Sequence, residues 1–172
     1  MYSFTAMPYY PGPYTNSDGA RPNGLVLSGD TLFGTAERGG SMGCGTIFAV
    51  KTNGTGFTVL YTFTGGSDGY FPYDGLVCSG NSLYGTTDEG GNGSPGNGTV
   101  LRVSFLPQLT INPSGVTAVL TWPSNYAGFD YTGFRLQSAP TITGTFTNIP
   151  GATSPYTNAI TGGQQFFRLI SN

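Results

Sequence analysis

The chain has 172 residues, a length for one or two domains, and its 29 Gly and 12 Pro leave little room for long helices. Six basic and eight acidic residues give a net charge of −2, which offers no basic footprint for nucleic acid and no cationic helix for a membrane surface. There is no His at all, so His-based triads and dyads and His-containing zinc sites are excluded. What remains is aromatic-rich (14%) and Thr-rich, a composition that favours extended chain wherever Gly and Pro do not intervene, and an all-β fold is expected.

The start, "MYSFTAMPYY", has neither the basic opening nor the apolar run of a signal peptide, and no later stretch approaches the roughly eighteen apolar residues of a membrane span. Scarce Lys together with abundant Gly, Thr, Ser, Asn and Tyr nevertheless points to an exported protein, extracellular or at the cell surface, in a mature or trimmed form.

Taken in order, the first hundred residues say the same thing twice. "YSFT" (2–5) returns as "YTFT" (61–64), "SDGARPNGLVLSG" (17–29) as "SDGYFPYDGLVCSG" (67–80), "TLFGTAERGG" (31–40) as "SLYGTTDEGG" (82–91), and "GTIFAV" (45–50) as "GTVLRV" (98–103). Such self-similarity marks a repeat architecture whose units cannot bury their apolar faces alone. Each copy contains four short strand-like runs, Y-x-F-T, G-L-V-x-S, x-L-[FY]-G-T and G-T-[IV]-x-x-V, separated by turn dipeptides such as Asp68-Gly69, Gly29-Asp30, Gly39-Gly40 and Asn53-Gly54. Four antiparallel strands in about fifty residues describe a propeller blade. One insertion breaks the match: Phe4 to Asp18 spans 14 positions where Phe63 to Asp68 spans 5, and the extra segment carries Tyr9, Tyr10 and Tyr14.

Over residues 2 to about 104 the chain resembles the GloVer-type tandem repeat of large exported bacterial proteins, whose pattern is G-L-V-x-x-G, then L-Y-G-T-T-x-x-G-G, then G-T-V-F-x-V, then L-Y-x-F-x-G-x-D-G. The resemblance implies a propeller-like β fold and brings no catalytic residues. Cys78 and Ala36 depart from its pattern. Residues 1–105 are therefore expected to form two four-stranded repeats, about 2–60 and 61–104.

From residue 106 to 172 the repeat glycines vanish, and "VTAVLTW", "GFRLQS" and "QFFRLIS" alternate apolar and polar residues between Pro/Gly turns. That pattern predicts a small β-sandwich, resembling the fibronectin type III or immunoglobulin-like modules of exported proteins, with Trp122 as its core aromatic and "FFRL" (166–169) in its last strand.

Chemistry is thinly signalled, and no catalytic, cofactor-binding or metal-binding residue is expected. Asp88-Glu89 could serve as a carboxylate pair, but Glu37-Arg38 stands there in the other copy, before the same Gly-Gly turn, which reads as a solvated turn. Asp18 and Asp68 occupy matching S-D-G turns, where an Asp caps its own backbone, and they lack the D-x-D spacing of a calcium loop. Cys44 and Cys78 are either a disulfide or two separate thiols. Asn53, Asn92 and Asn97 head acceptor triplets for glycans and are first of all Asn-Gly turns.

Number decides the functional expectation. Propellers close with about four to eight blades, and two cannot close. The repeat region opens with a Y-x-F-T run and ends after Val103 without one, so one end has a strand to offer and the other a vacancy. A non-enzymatic structural protein is expected, self-associating head to tail by strand exchange into a fibre or surface assembly, with Tyr2 and Phe4 burying against a neighbour's Leu76, Leu83 and Val100 and with Tyr9, Tyr10 and Tyr14 as a further interface. The alternative is a carbohydrate-binding or adhesion module from a larger propeller, the Tyr cluster stacking on sugar rings.

Overall fold

A computed structural model describes residues 1–7, 14–93, 96–161 and 163–171. The described residues are all-β, with fifteen strands and no helix, and the chain divides into two compact units, Met1–Ser104 and Phe105–Asn172.

In the first unit, β1 (Ala20–Ser28), β2 (Thr31–Arg38), β3 (Thr46–Lys51) and β4 (Thr58–Thr62) form one antiparallel sheet in chain order. Turn chemistry makes this order the simplest one. Gly29 takes φ 57° between β1 and β2, and Asn53 accepts the Thr55 N–H through its side chain to tighten the β3–β4 hairpin at Gly54. The second repeat has three strands, β5 (Val77–Ser79), β6 (Ser82–Thr87) and β7 (Thr99–Ser104), again in chain order. Neither sheet closes on itself, and the described residues form no closed propeller.

Some local backbone features recur in the two halves of this unit. Arg21 and Phe71, both at φ 55°, are rare left-handed non-glycine residues at equivalent places, and each follows a residue bridged to the end of the next strand, Ala20 to Arg38 and Tyr70 to Glu89. Two differences from the sequence expectation stand out. Tyr2–Thr5 is not a strand: Tyr2 and Phe4 pack on Phe57 and Phe48, and the Thr5 N–H is bonded to the Asp18 carboxylate. The matching run at 61–64 is divided: β4 starts earlier, at Thr58, and stops at Thr62. As a result the second repeat is three-stranded: among the described residues β3 has a partner on each side, and β7 pairs with β6 alone.

In the second unit, β8 (Thr110–Ser114) and β14 (Tyr156–Ala159) flank β9 (Thr117–Thr121), and β13 (Thr147–Asn148) and β15 (Phe166–Ser171) flank β12 (Phe134–Ala139). A two-residue ladder joins β10 (Asn125–Tyr126) to β11 (Phe129–Asp130). The core aromatics are Phe129 and Tyr131, packed with Leu120, Leu136 and Ala139. Trp122, expected in that place, is only half-buried. It lies just past the end of β9, where the chain leaves the sheet, and its N–H is held by Ser154 Oγ at 2.9 Å.

Candidate assembly faces

Side chains alternate across a strand, so each repeat has two faces. On repeat 1 one face, here the front, carries Leu25, Leu32, Phe48 and Val50; the other, the back, carries Phe33, Thr35, Ile47 and Ala49. The back packs on repeat 2, where Thr35 Oγ1 donates to Asp74 O at 2.9 Å; in addition Asn23 Nδ2 donates to Pro72 O at 3.2 Å and, at the end of β2, the Arg38 guanidinium lies over the Phe71 ring, 4.2 Å from its centroid. A cleft shared by Ile47, Phe63, Leu101 and Val103 continues the contact.

Equivalent residues then have opposite fates. Ile47 is 1% exposed and its counterpart Val100 83%; Phe33 is 0% exposed and its counterpart Tyr84 37%. Thr35 and Glu37 are buried, and their counterparts Thr86 and Asp88 are exposed. The front shows the reverse, with Leu25 57% exposed and its counterpart Leu76 7%. Within the first unit, repeat 2 therefore leaves its back uncovered and repeat 1 part of its front.

What covers part of that front is the N-terminal segment. Tyr2 stacks on Phe57 with centroids 3.7 Å apart, and Phe4 meets Phe48 and Phe57 edge-on at 5.1 and 5.5 Å. Beside these rings lies a groove of about 590 Å³, whose polar rim includes Asn23, Lys51 and Asn53.

The segment is held by a carboxylate. Asp18 accepts Tyr2 O–H at 2.6 Å, Thr5 N–H at 2.8 Å and the Thr5 hydroxyl; Asp68 accepts Tyr61 O–H at 2.9 Å, Thr64 N–H at 2.8 Å and Thr64 O–H at 2.6 Å. Burial pushes both carboxyls upward, but the bonds from Thr5 and Tyr2, and from Thr64 and Tyr61, outweigh it and hold both below the ordinary value. Tyr2 is pushed up to about 12 by burial and by its bond to Asp18. Each carboxylate thus has three donors of its own. Among the described residues no three His, Cys, Asp or Glu side chains converge to hold a metal ion.

The insertion breaks the chain path that repeat 2 follows directly, and a side chain fills the gap. Asn16 Oδ1 accepts Gly19 N–H and Gly40 N–H, both at 2.9 Å, and Asn16 Nδ2 donates to Gly19 O at 2.7 Å and Thr5 O at 3.0 Å. In repeat 2 the backbone does this work: Gly66 O accepts Gly69 N–H at 3.2 Å and Gly91 N–H at 2.9 Å, and Gly65 N–H donates to Gly69 O at 3.2 Å. The carboxamide stands in for a stretch of main chain. Sequence reading missed this role, although an Asn two residues before the shared Asp, where repeat 2 has Gly, was its signal.

The other expected sites divide as follows. Leu76 and Leu83 are buried within their own chain, because the back of repeat 1 covers the front of repeat 2; only Val100 of the expected docking residues is open. Tyr14 is exposed, and Tyr9 and Tyr10 lie outside the described residues. Cys44 and Cys78 are free thiols and not a bridge: Cys44 is buried and directs its Sγ to Met42 O at 3.3 Å, whereas Cys78 sits in β5 opposite Leu83. Asn53, Asn92 and Asn97 are exposed, and Asn53 Oδ1 is occupied by Thr55. Asp88 and Glu89 are exposed at the end of β6, with their N–H groups bonded to Phe71 O and Tyr70 O. Comparison with protein-family models, with curated proteins and with solved structures finds no match to the chain.

Proposed function

We propose that the chain is a non-enzymatic structural protein of the cell exterior that self-associates head to tail, the back of repeat 2 in one molecule packing on the front of repeat 1 in the next. The observation that supports this most is the reversal of exposure at Ile47 and Val100 and at Leu25 and Leu76: each molecule contains one finished interface and the two separated halves of another. Covering one such side chain is worth about 1.5–3 kcal/mol, against a cost of about 4–15 kcal/mol for bringing molecules together, so the contact must cover several of them at once. A contact of this heterologous kind closes a ring or propagates as a fibre according to its rotation.

The geometry modifies the expected strand exchange. Tyr2 and Phe4 need not leave their own chain. In repeat 1, β4 pairs with β3, with Tyr61 opposite Ile47 and Thr62 opposite Thr46, while Tyr61 and, just beyond the strand, Thr64 are tied to Asp68 of the following repeat. By the same pattern, residues 2–5 stay clamped to Asp18 and offer their backbone as the fourth strand on a neighbour's β7. Sedimentation over a range of concentrations tests the proposal: the native chain should form multimers and Val100→Arg should remain a folded monomer. A native chain that is monomeric at every concentration would refute it.

A second reading, a carbohydrate-binding or adhesion module within a larger propeller, is favoured by the groove beside Tyr2, Phe4, Phe48 and Phe57, since aromatic faces with a polar rim suit sugar rings. In that case further repeats cover both faces, and Phe57→Ala abolishes glycan binding without altering the state of association.

A further inference from the structure

We infer that the contact between molecules is specified by an ion pair, Glu89 of one molecule with Arg21 of the next, a step that rests on the head-to-tail reading. Inside the chain, repeat 1 meets repeat 2 at the end of β2, where the Arg38 guanidinium lies over Phe71. Moved on by one repeat, the place of Arg38 is taken by Glu89, and the place of Phe71 is taken, in the next molecule, by Arg21. The equivalence is fixed by geometry, since Arg21 and Phe71 share φ 55° and the bridges Ala20–Arg38 and Tyr70–Glu89 match.

At the contact between molecules the cation–aromatic pair is thus replaced by opposite charges. The flanking residues agree. Asp88 adds a second acid beside Glu89, where repeat 1 has the buried Glu37. The Arg21 side chain is 62% exposed and donates to Glu37 through one nitrogen at 3.3 Å, which leaves further N–H groups of its planar fork for a carboxylate arriving from outside. The exposed Asp88-Glu89 pair, which has no catalytic companions among the described residues, acquires a role as a docking element, and the difference between internal and external pairs keeps a molecule's own repeats from being confused with its neighbour's.

Charge reversal tests the pair. Glu89→Arg and Arg21→Glu should each fold, by circular dichroism, and each should assemble at least about tenfold more weakly than the native chain. Mixed in equal amounts they should co-assemble. At one contact the arginine introduced in the first variant meets the glutamate introduced in the second, and at the next contact the second variant's native Glu89 meets the first variant's native Arg21. Glu89→Gln and Arg21→Gln, which add no repulsion, provide the same comparison if a reversal does not fold, and both should weaken assembly. Single variants that assemble like the native chain, or folded reversals whose mixture stays monomeric, overturn the ion pair. If Val100→Arg blocks assembly while the charge variants do not, only the pair falls; a native chain that never assembles removes the head-to-tail reading itself.

Discussion

Repeat 1 and repeat 2 spell nearly the same phrase, yet Ile47 is buried where Val100 is bare, and Leu25 is bare where Leu76 is buried. The residue types barely differ, so the burial cannot come from local preference. It comes from what lies next along the stack: repeat 1 has a neighbour behind it, and repeat 2 has one in front. In a repeat protein, stability is the sum of unit and neighbour terms, and a terminal unit reveals which of its contacts belonged to the neighbour.

The sharpest way to break this comparison is to truncate equivalent residues. Phe33→Ala should destabilise the first unit by about 3–5 kcal/mol in denaturant unfolding, since it empties a filled site between the repeats. Tyr84→Ala in the dilute monomer should cost markedly less, about 1–2 kcal/mol, since Tyr84 is 37% exposed. Equal losses at the two positions would mean that the back of repeat 2 is covered after all.

The carboxylate clamps give a smaller contrast. Asp68→Ala removes the acceptor for Tyr61 and Thr64, and Asp18→Ala that for Tyr2 and Thr5, each change costing about 1.5–3 kcal/mol for bonds to a charged group. Asp18→Ala should free the N-terminal segment alone, seen as rapid amide exchange at residues 2–5 with β2 and β3 still protected. Asn16→Ala should act on the same segment by about 1 kcal/mol per lost bond, whereas in repeat 2 the matching bonds are made by the backbone of Gly65 and Gly66.

Acidity and alkalinity sharpen the clamp further. Asp18 and Asp68 have lowered folded values, so their contribution is present above the unfolded Asp value of about 3.9 and is lost as pH falls through the folded values. Tyr2 is raised, so its contribution is present below the unfolded value of about 10 and is lost as pH rises through about 12. Thermal unfolding followed against pH should show a plateau between these limits, and Asp18→Asn should flatten the acid side.

The sequence made the all-β class legible because strand alternation and turn dipeptides are local information. The missing Y-x-F-T run after Val103 is also visible in the text, and among the described residues β7 pairs with β6 alone. Which face of each sheet is covered is not local, and so Leu76 and Leu83 read as residues of an interface they do not reach. Nor does the text show that Tyr2 and Phe4 pack on their own Phe48 and Phe57, because Phe57 lies outside the repeated phrases and its contact depends on the β3–β4 hairpin. Trp122 misleads for a similar reason: size alone suggests the core, and the end of β9 places it beyond the sheet.

The two open faces are, on this account, halves of one interface, with residues 2–5 of one molecule completing the sheet of another. In repeat 1, Thr62 lies opposite Thr46, so Ser3 should lie opposite Thr99 of a neighbour. With Cys44 and Cys78 replaced by Ser, the pair Ser3→Cys and Thr99→Cys should oxidise into a ladder of covalent multimers on a non-reducing gel, while Ser3→Cys with Arg102→Cys should not. A Ser3/Thr99 pair that remains monomeric under oxidation, at concentrations where the native chain is multimeric, would contradict the account.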